Sequence, residues 1–400
     1  MASCSVLFLG FDFGTTFSSA SYAILDPSSG EPPRIESVRV LGADGSRMHS
    51  RVPSTLSADP NAPQWGPYIP PGAQTLRLLK LALPNEDDLP GDPNHSRNLE
   101  EVREAMRMIR YTAGMKGVSA TAKYLSSFWN ACESGIEAAE HVTLKDMDVR
   151  VLFTYPASWR HDARFRMRDA VLASGILNAG RSPATMELLP ESEAAALAVL
   201  PGLAASCHCK VGDLVVICDC GGGTVDVGSY EITSLSPLTV GECVAGESQL
   251  CGAIFLEGPF YSLIDHKLAE LAEIKRCANI NRERTVARIR AEWEQTVKLY
   301  FPLSIGPRGQ RCQVFLHGDG NMPSGPLLVI SSDEVAAVFR SLTTTIIELA
   351  KKQVVALLER KGRLPKRIVL VGGFGCNPFL QQEFSDCFDN GMMHFAGDAG

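Results

Sequence analysis

Two short segments rich in glycine and threonine, each led by an aspartate, are the parts of the sequence whose residue types could do chemistry. Residues 12–16 (DFGTT) and residues 219–224 (DCGGGT) each follow an apolar run. A glycine-rich turn after a strand exposes backbone N–H groups, and neighbouring hydroxyls add donors, so each segment could cradle a phosphate. For either segment alone, a tight hairpin that needs Gly and Asp for its turn is the structural alternative.

The aspartates add a second kind of chemistry. Asp12 and Asp219 each end a buried strand, and Asp226 lies two residues beyond Thr224. Carboxylates repel phosphate, but they hold Mg²⁺, usually through its waters, while the metal bridges phosphate oxygens. The sequence therefore predicts a magnesium site at Asp12 and Asp219, with Asp226 sharing the same cleft.

Predicted strands on both sides of each segment would place the phosphate cradles at hairpin tips. Most phosphate-binding loops lead into a helix N-terminus, whereas these lead into strands over residues 17–25 and 225–232. The sequence has no G-x-x-x-x-G-K-[ST] motif and no G-x-G-x-x-G between a strand and a helix. A P-loop protein is therefore excluded, and a dinucleotide-binding fold is disfavoured.

The chain opens twice in the same way, with a strand, an Asp-x-Gly turn, a second strand and later helices. The two aspartates are 207 residues apart, which is too long a period for a solenoid. The pattern predicts an α/β protein of two similar lobes, each a mixed β-sheet flanked by helices, with a cleft between them. We place lobe I at residues 1–190 and lobe II at residues 191–400. Residues 331–334 (SSDE) predict a capping-box start for a long helix ending near Lys361.

Composition narrows the class of protein. The 400 residues are 45% apolar and 21% charged, as in a globular protein of two or three domains. A net charge of −7 provides no broad cationic field, so we expect no nucleic-acid partner. The 12 cysteines form no C-x-x-C pair, and no apolar stretch is long enough to span a bilayer. We expect a reduced, cytoplasmic protein with no membrane partner.

Several motifs resemble those of one family, in order along nearly the whole chain. Residues 10–18 (GFDFGTTFS) and 219–227 (DCGGGTVDV) resemble the two phosphate motifs of heat-shock 70 chaperones, and residues 369–375 (VLVGGFG) resemble their adenosine motif. Residues 189–198 are similar to the helix that connects the family's two lobes. The likeness is to a divergent cytosolic branch, within the actin-like ATPase superfamily. It implies a ribonuclease H-like repeat that binds ATP or ADP with Mg²⁺ in the cleft.

The resemblance also implies roles for individual residues. Asp12, Asp219 and Asp226 would surround the metal and the attacking water, and Glu191 would help to position both. Lys80, in a segment like the one that bears the family's catalytic lysine, would offset charge on the γ-phosphate. The implied nucleotide-binding residues are Gly14, Thr15, Thr16, Gly221, Gly222, Gly223, Thr224, Gly372, Gly373, Phe374, Glu294 and Lys298.

The implied activity is hydrolysis of Mg-ATP, with lobe closure that reports the nucleotide state to a co-chaperone or client protein. We expect no peptide-binding domain in this chain. Two alternatives remain open. One is a nucleotide-binding switch with negligible hydrolysis, favoured by Phe374 and Cys376, where the chaperones usually have polar and basic residues. The other is a small-molecule kinase of the same superfamily.

Overall fold

The protein is a mixed α/β structure. The computed structural model describes residues 5–27, 29, 33–59, 64–70, 72–89, 96–207, 209–273, 282–302, 311–315, 327–388 and 391–396. The strands are β1 (Val6–Phe13), β2 (Phe17–Leu25), β3 (Glu36–Ser37), β4 (Val40–Leu41), β5 (Met48–His49), β6 (Arg51–Pro53), β7 (Leu56–Ser57), β8 (Thr75–Leu76), β9 (Asp148–Tyr155), β10 (Thr185–Pro190), β11 (Leu214–Cys220), β12 (Val225–Leu235), β13 (Leu238–Gln249), β14 (Arg311–Phe315), β15 (Leu327–Ser331), β16 (Arg367–Val371) and β17 (Met393–Phe395).

Helices separate and flank these strands. They are α1 (Ser96–Arg107), α2 (Gly117–Glu140), α3 (His161–Ser174), α4 (Glu191–Cys207), α5 (Glu257–Glu273), α6 (Arg282–Glu292), α7 (Lys298–Tyr300), α8 (Ser332–Lys361), α9 (Gly372–Gly375) and α10 (Pro378–Cys387). Single 3₁₀ turns include Leu79–Ala82 and Ala253–Leu256, and π-helical turns cover Met108–Thr112 and Trp293–Val297. Within the described residues, no helix is both long and apolar enough to cross a membrane.

Two larger sheets carry the fold, and their strands follow the same plan. The first sheet has the order β10-β9-β1-β2-β3, with β6 also paired to β2. The second has the order β17-β16-β11-β12-β13. In each sheet the leading strand, β1 or β11, pairs antiparallel with the next strand and parallel with a much later one. Both sheets are therefore mixed, as predicted, and each leading strand has Asp12 or Asp219 as its penultimate residue.

Apolar side chains form three buried clusters around these sheets. One lies between the first sheet and α2 and α3, and a second lies between one face of the second sheet and α5 and α8. The third packs Ala196, Leu200 and Leu203 of α4 against the opposite face of the second sheet. Leu78 and Leu81, from the first half of the chain, belong to the second cluster. Leu76, Leu79 and Leu83 belong to the first cluster, so the segment that carries Lys80 is anchored in both cores.

Candidate functional site

The tips of the two acidic hairpins touch each other. A Cβ atom added at Gly222 would lie 2.1 Å from Oγ1 of Thr16, and one added at Gly223 would lie 2.5 Å from Cγ2 of Thr15. Real Cβ atoms do not approach other atoms so closely, so the contact requires glycine at both positions. Two turns separated by half the chain therefore form one continuous surface of backbone and hydroxyl groups.

The second hairpin is held from one side by the chain that follows β13. The N–H groups of Gly252, Ala253 and Ile254 donate to the carbonyls of Gly223, Gly221 and Gly222 at 3.1, 3.2 and 2.9 Å. The N–H of Gly221 donates to the carbonyl of Thr224 at 3.0 Å, so the hairpin itself uses that donor. The Gly221 N–H is therefore engaged within the hairpin, and the tip amide of Gly222 is the candidate donor to a phosphate.

A third turn completes the acidic end of the site. Gly372 follows β16 directly and has a φ of +81°, a region that favours glycine. A Cβ atom there would lie 2.4 Å from Oδ1 of Asp219. The turn after β16 thus packs against the aspartate that ends β11, because those two strands are parallel neighbours.

These turns line one cavity of about 610 Å³, within the usual range of small-molecule sites. Most of the residues predicted for the site line this cavity: Asp12, Gly14, Thr15, Thr16, Lys80, Glu191, Asp219, Gly221, Gly222, Thr224, Glu294, Lys298, Gly372, Gly373 and Phe374. Gly223 and Asp226 do not line it. The structure therefore brings fifteen of these residues, from distant segments, together around one cavity.

Lys80 enters this cavity from a short, constrained segment. It lies in the 3₁₀ turn Leu79–Ala82, which begins after Leu78, a bulky residue with a φ of +57°. That conformation is strained for leucine, and it persists because the Leu78 side chain is buried in the core. The Lys80 side chain is only 3% exposed, and its Nζ forms an ion pair with Oε1 of Glu191. Glu191 is the first residue of α4, where the helix dipole favours a negative charge.

Four carboxylates surround that one ammonium group. Burial raises the pKa of Glu191 to about 8, against the opposing effect of Lys80. Burial also raises the pKa of Asp219 to about 7, and the nearby Asp226 and Asp12 carboxylates add to the shift. Burial lowers the pKa of Lys80, but Glu191 and Asp12 outweigh this effect and leave it raised. Burial and mutual repulsion therefore disfavour the charged forms of these carboxylates, and a bound cation would stabilise them.

Asp226 has a structural partner outside the cavity. It lies opposite Asp219 in the β11–β12 ladder and is 1% exposed. The N–H of Ala157, which follows β9 of the first sheet, donates to Oδ1 of Asp226 at 2.8 Å. Burial raises the pKa of Asp226, although this hydrogen bond opposes the shift. Asp226 therefore links the two sheets behind the site and acts on the cavity through its charge.

Salt bridges and apolar surface form another part of the cavity lining. Oε1 of Glu257 accepts from Nζ of Lys298 at 3.3 Å and from Nη2 of Arg77 at 3.4 Å. Lys298 also bonds Glu294 at 3.1 Å. Phe374 is 4% exposed, and its ring centroid lies 6.4 Å from that of Phe339. The cavity lining thus combines charged side chains with a buried aromatic ring.

Three charged residues of the site were not predicted from the sequence. Arg51, Arg77 and Glu257 all line the cavity. Arg51 lies on β6, and its guanidinium is 5.8 Å from the ring centroid of Phe17. Arg77 lies in the segment that carries Lys80, but no recognisable motif surrounds Arg51 or Glu257. The pairing of β6 with β2 could have located Arg51 had the register been known.

The donor set fits a magnesium ion that keeps most of its waters. Within the described part of the chain, no three His, Cys, Asp or Glu side chains form a group that could hold an ion directly. Mg²⁺ typically binds through one or two carboxylates together with waters and substrate phosphates. Asp12 and Asp219, both at the cavity wall, match that mode.

Comparison with known proteins assigns this chain to no family. Neither the known family models nor the curated proteins include a match to this chain.

Proposed function

We propose that this chain is a two-lobed, actin-like ATPase domain of the heat-shock 70 type, which binds Mg-ATP between two lobes and hydrolyses it. The contact of Thr15 and Thr16 with Gly222 and Gly223 carries the proposal, because it joins two phosphate-type hairpins at one cavity. The common strand order of the two sheets supports the two-lobed arrangement. The resemblance of the five motifs to that family supports the identity of the nucleotide.

Some residues of the site would bind the nucleotide, and others would take part in the hydrolysis. The hydroxyls of Thr15 and Thr16 and the tip amide of Gly222 would bind phosphate oxygens. Asp12 and Asp219 would hold Mg²⁺, which supplies charge neutralisation at the phosphates when bound. Lys80 would add positive charge near the terminal phosphate, and Glu191 fixes the direction of its side chain. Glu294 and Lys298 would contact the nucleoside.

A switch that binds nucleotide but hardly hydrolyses it is a second candidate, which one observation favours. The ammonium of Lys80 is already neutralised by Glu191, so less of its charge is available to stabilise a transition state. Single-turnover hydrolysis of γ-³²P-labelled ATP separates the two candidates. Wild type should release phosphate if the protein is an ATPase, whereas a switch should bind ATP without releasing it.

Two variants test whether ATP hydrolysis depends on this site. Asp12→Asn and Lys80→Met should each lower turnover about 100-fold or more while ATP binding persists, because Asp12 would hold Mg²⁺ and Lys80 would add positive charge near the terminal phosphate. Lys352→Ala is a charge-matched control, because Lys352 is 68% exposed and pairs with Glu247 on the surface. Circular dichroism should show all three variants folded. If wild type binds neither ATP nor ADP in the presence of Mg²⁺, the proposal is wrong.

A further inference from the structure

Arg51 shares a cross-strand row with Asp12. In the first sheet Asp12 lies opposite Ser19 on β2, and Ser19 lies opposite Arg51 on β6. Residues directly opposite each other in antiparallel strands direct their side chains to the same face. Arg51 therefore emerges on the face that carries Asp12, two strand spacings or about 10 Å away. An arginine side chain is long enough to bridge most of that distance.

The guanidinium of Arg51 reaches the second half of the site. Its Nη2 lies 3.2 Å from the position of a Cβ atom added at Gly373, in the turn after β16. Its positive charge acts to lower the pKa of Asp219, on the neighbouring strand β11. The Phe17 ring, next to Thr16 of the first hairpin, lies on its other side. Arg51 thus stands where the first hairpin, the turn after β16 and the acidic cluster meet.

The basic residues of the cavity differ in burial. The Lys80 side chain is only 3% exposed, whereas Arg51 is exposed while it lines the cavity. Arg77 and Lys298 line the same cavity beside Glu257. A planar guanidinium binds two phosphate oxygens at once, which an ammonium group cannot do.

We propose that Arg51 binds the terminal phosphate of a nucleoside triphosphate and so discriminates ATP from ADP. The inference rests on the proposed function, since it assumes that the phosphates occupy the acidic end of the cavity. A diphosphate lacks the group that Arg51 would hold. Arg51 is therefore a specificity-determining residue for the triphosphate.

Isothermal titration calorimetry with Mg²⁺ tests this proposal, with the non-hydrolysable analogue AMP-PNP and with ADP as ligands. Arg51→Ala should weaken AMP-PNP binding about 10- to 100-fold, as for loss of a charged hydrogen-bonded pair, and ADP binding less than about 3-fold. Arg51→Lys should recover part of the AMP-PNP affinity, because it keeps the charge without the planar fork.

Arg77→Ala is the matched control. Arg77 is also an exposed arginine that lines the cavity, and its guanidinium pairs with Glu257. The Arg77→Ala variant should weaken AMP-PNP and ADP by the same factor. The Arg51 proposal is overturned if Arg51→Ala leaves AMP-PNP affinity unchanged or weakens both nucleotides equally. Wild type that binds neither nucleotide refutes the proposed function instead, and the two failures are thereby distinguished.

Discussion

At the scale of single residues, the site depends on how closely two backbones approach. The Thr16 side chain lies so close to the Cα atom of Gly222 that there is no room for a Cβ atom at that position. Threonine is β-branched and stiff about χ1, so its side chain cannot easily move away. Threonine supplies a hydroxyl to the cavity only if the opposing residue lacks a side chain. The pairing of Thr with Gly across the two hairpins is thus what lets both turns face the same cavity.

Gly222→Ala should separate the two hairpin tips. The new methyl group would overlap Oγ1, Cγ2 and Cβ of Thr16, so one turn must move, at a cost of about 1–3 kcal/mol in unfolding free energy. Affinity for Mg-AMP-PNP should fall about 10-fold or more, because the phosphate donors no longer converge. Urea denaturation and calorimetry measure the two effects.

Gly202→Ala is the matched control for this substitution. Gly202 lies in α4, and a Cβ atom there would meet no other atom within 4 Å. Alanine should stabilise the helix by about 0.5–1 kcal/mol and leave nucleotide affinity unchanged. Equal affinities of the Gly222→Ala and Gly202→Ala variants would contradict the proposed convergence of the hairpins.

The sequence identified the residues of the site that belong to motifs and missed those that do not. Asp12 and Asp219 are recognisable because a local pattern of strand, turn and strand surrounds them. Arg51, Arg77 and Glu257 are brought to the cavity by strand register and by contacts between distant segments. Such contacts depend on the tertiary fold, which no local spacing encodes.

At the scale of elements, Asp213 ties together the starts of two central strands of the second sheet. Nζ of Lys366 and the N–H of Lys210 donate to its Oδ2 at 2.7 and 2.9 Å. Lys366 also donates its N–H to the carbonyl of Leu214, at 2.7 Å. The start of β11 and the residue before β16 are thus held at their parallel register by one buried carboxylate.

Asp213→Asn should lower the unfolding free energy by about 1–2 kcal/mol at pH 7, because it removes a charged hydrogen-bond acceptor. Burial disfavours the charged carboxylate and acts to raise the pKa of Asp213. The hydrogen bonds from Lys366 and from the Lys210 N–H have the larger effect and hold that pKa below its usual value. The stabilisation is therefore present above about pH 4 and disappears as pH falls through the lowered pKa. Urea denaturation between pH 2 and pH 7 measures this dependence.

Asp87→Asn is the control for the pH dependence, because Asp87 is exposed in a short surface turn. The unfolding free energy of the Asp87→Asn variant should follow that of wild type at every pH. A constant difference between wild type and Asp213→Asn from pH 7 down to pH 2 would show that the carboxylate charge is not responsible.

The elements themselves were predictable where local signals are strong. The helix after residues 331–334 starts with the predicted capping box, in which Ser331 and Glu334 exchange hydrogen bonds, and it ends at Lys361 before Gly362. Strand β10 has no such signal, because it is a half-exposed edge strand that ends in Pro190. Helix α4 continues past Pro201 to Cys207, since Leu203 packs in the core beyond the proline.

At the scale of the whole molecule, the two sheets share a strand order but differ in how they are covered. Strand β11 is buried along nearly its whole length, which is typical of a strand covered on both faces. Strand β1 alternates buried and more exposed residues instead. Helix α4 covers one face of the second sheet, whereas the matching face of the first sheet carries an open concavity of about 420 Å³ that includes Phe8 and Arg150.

Phe8 and Val215 are equivalent positions on these two faces, each four residues before its aspartate. Val215 is fully buried in the cluster beneath α4, whereas Phe8 is 37% exposed beside the guanidinium of Arg150. Val215→Ala should therefore cost about 2–3 kcal/mol of unfolding free energy, since it leaves a cavity that its neighbours cannot fill. Phe8→Ala should cost only about 1 kcal/mol, although it removes more carbon atoms, because its neighbours are partly solvent. Urea denaturation of both variants gives the comparison, and an equal or larger loss for Phe8→Ala would mean that the first sheet's face is covered in solution.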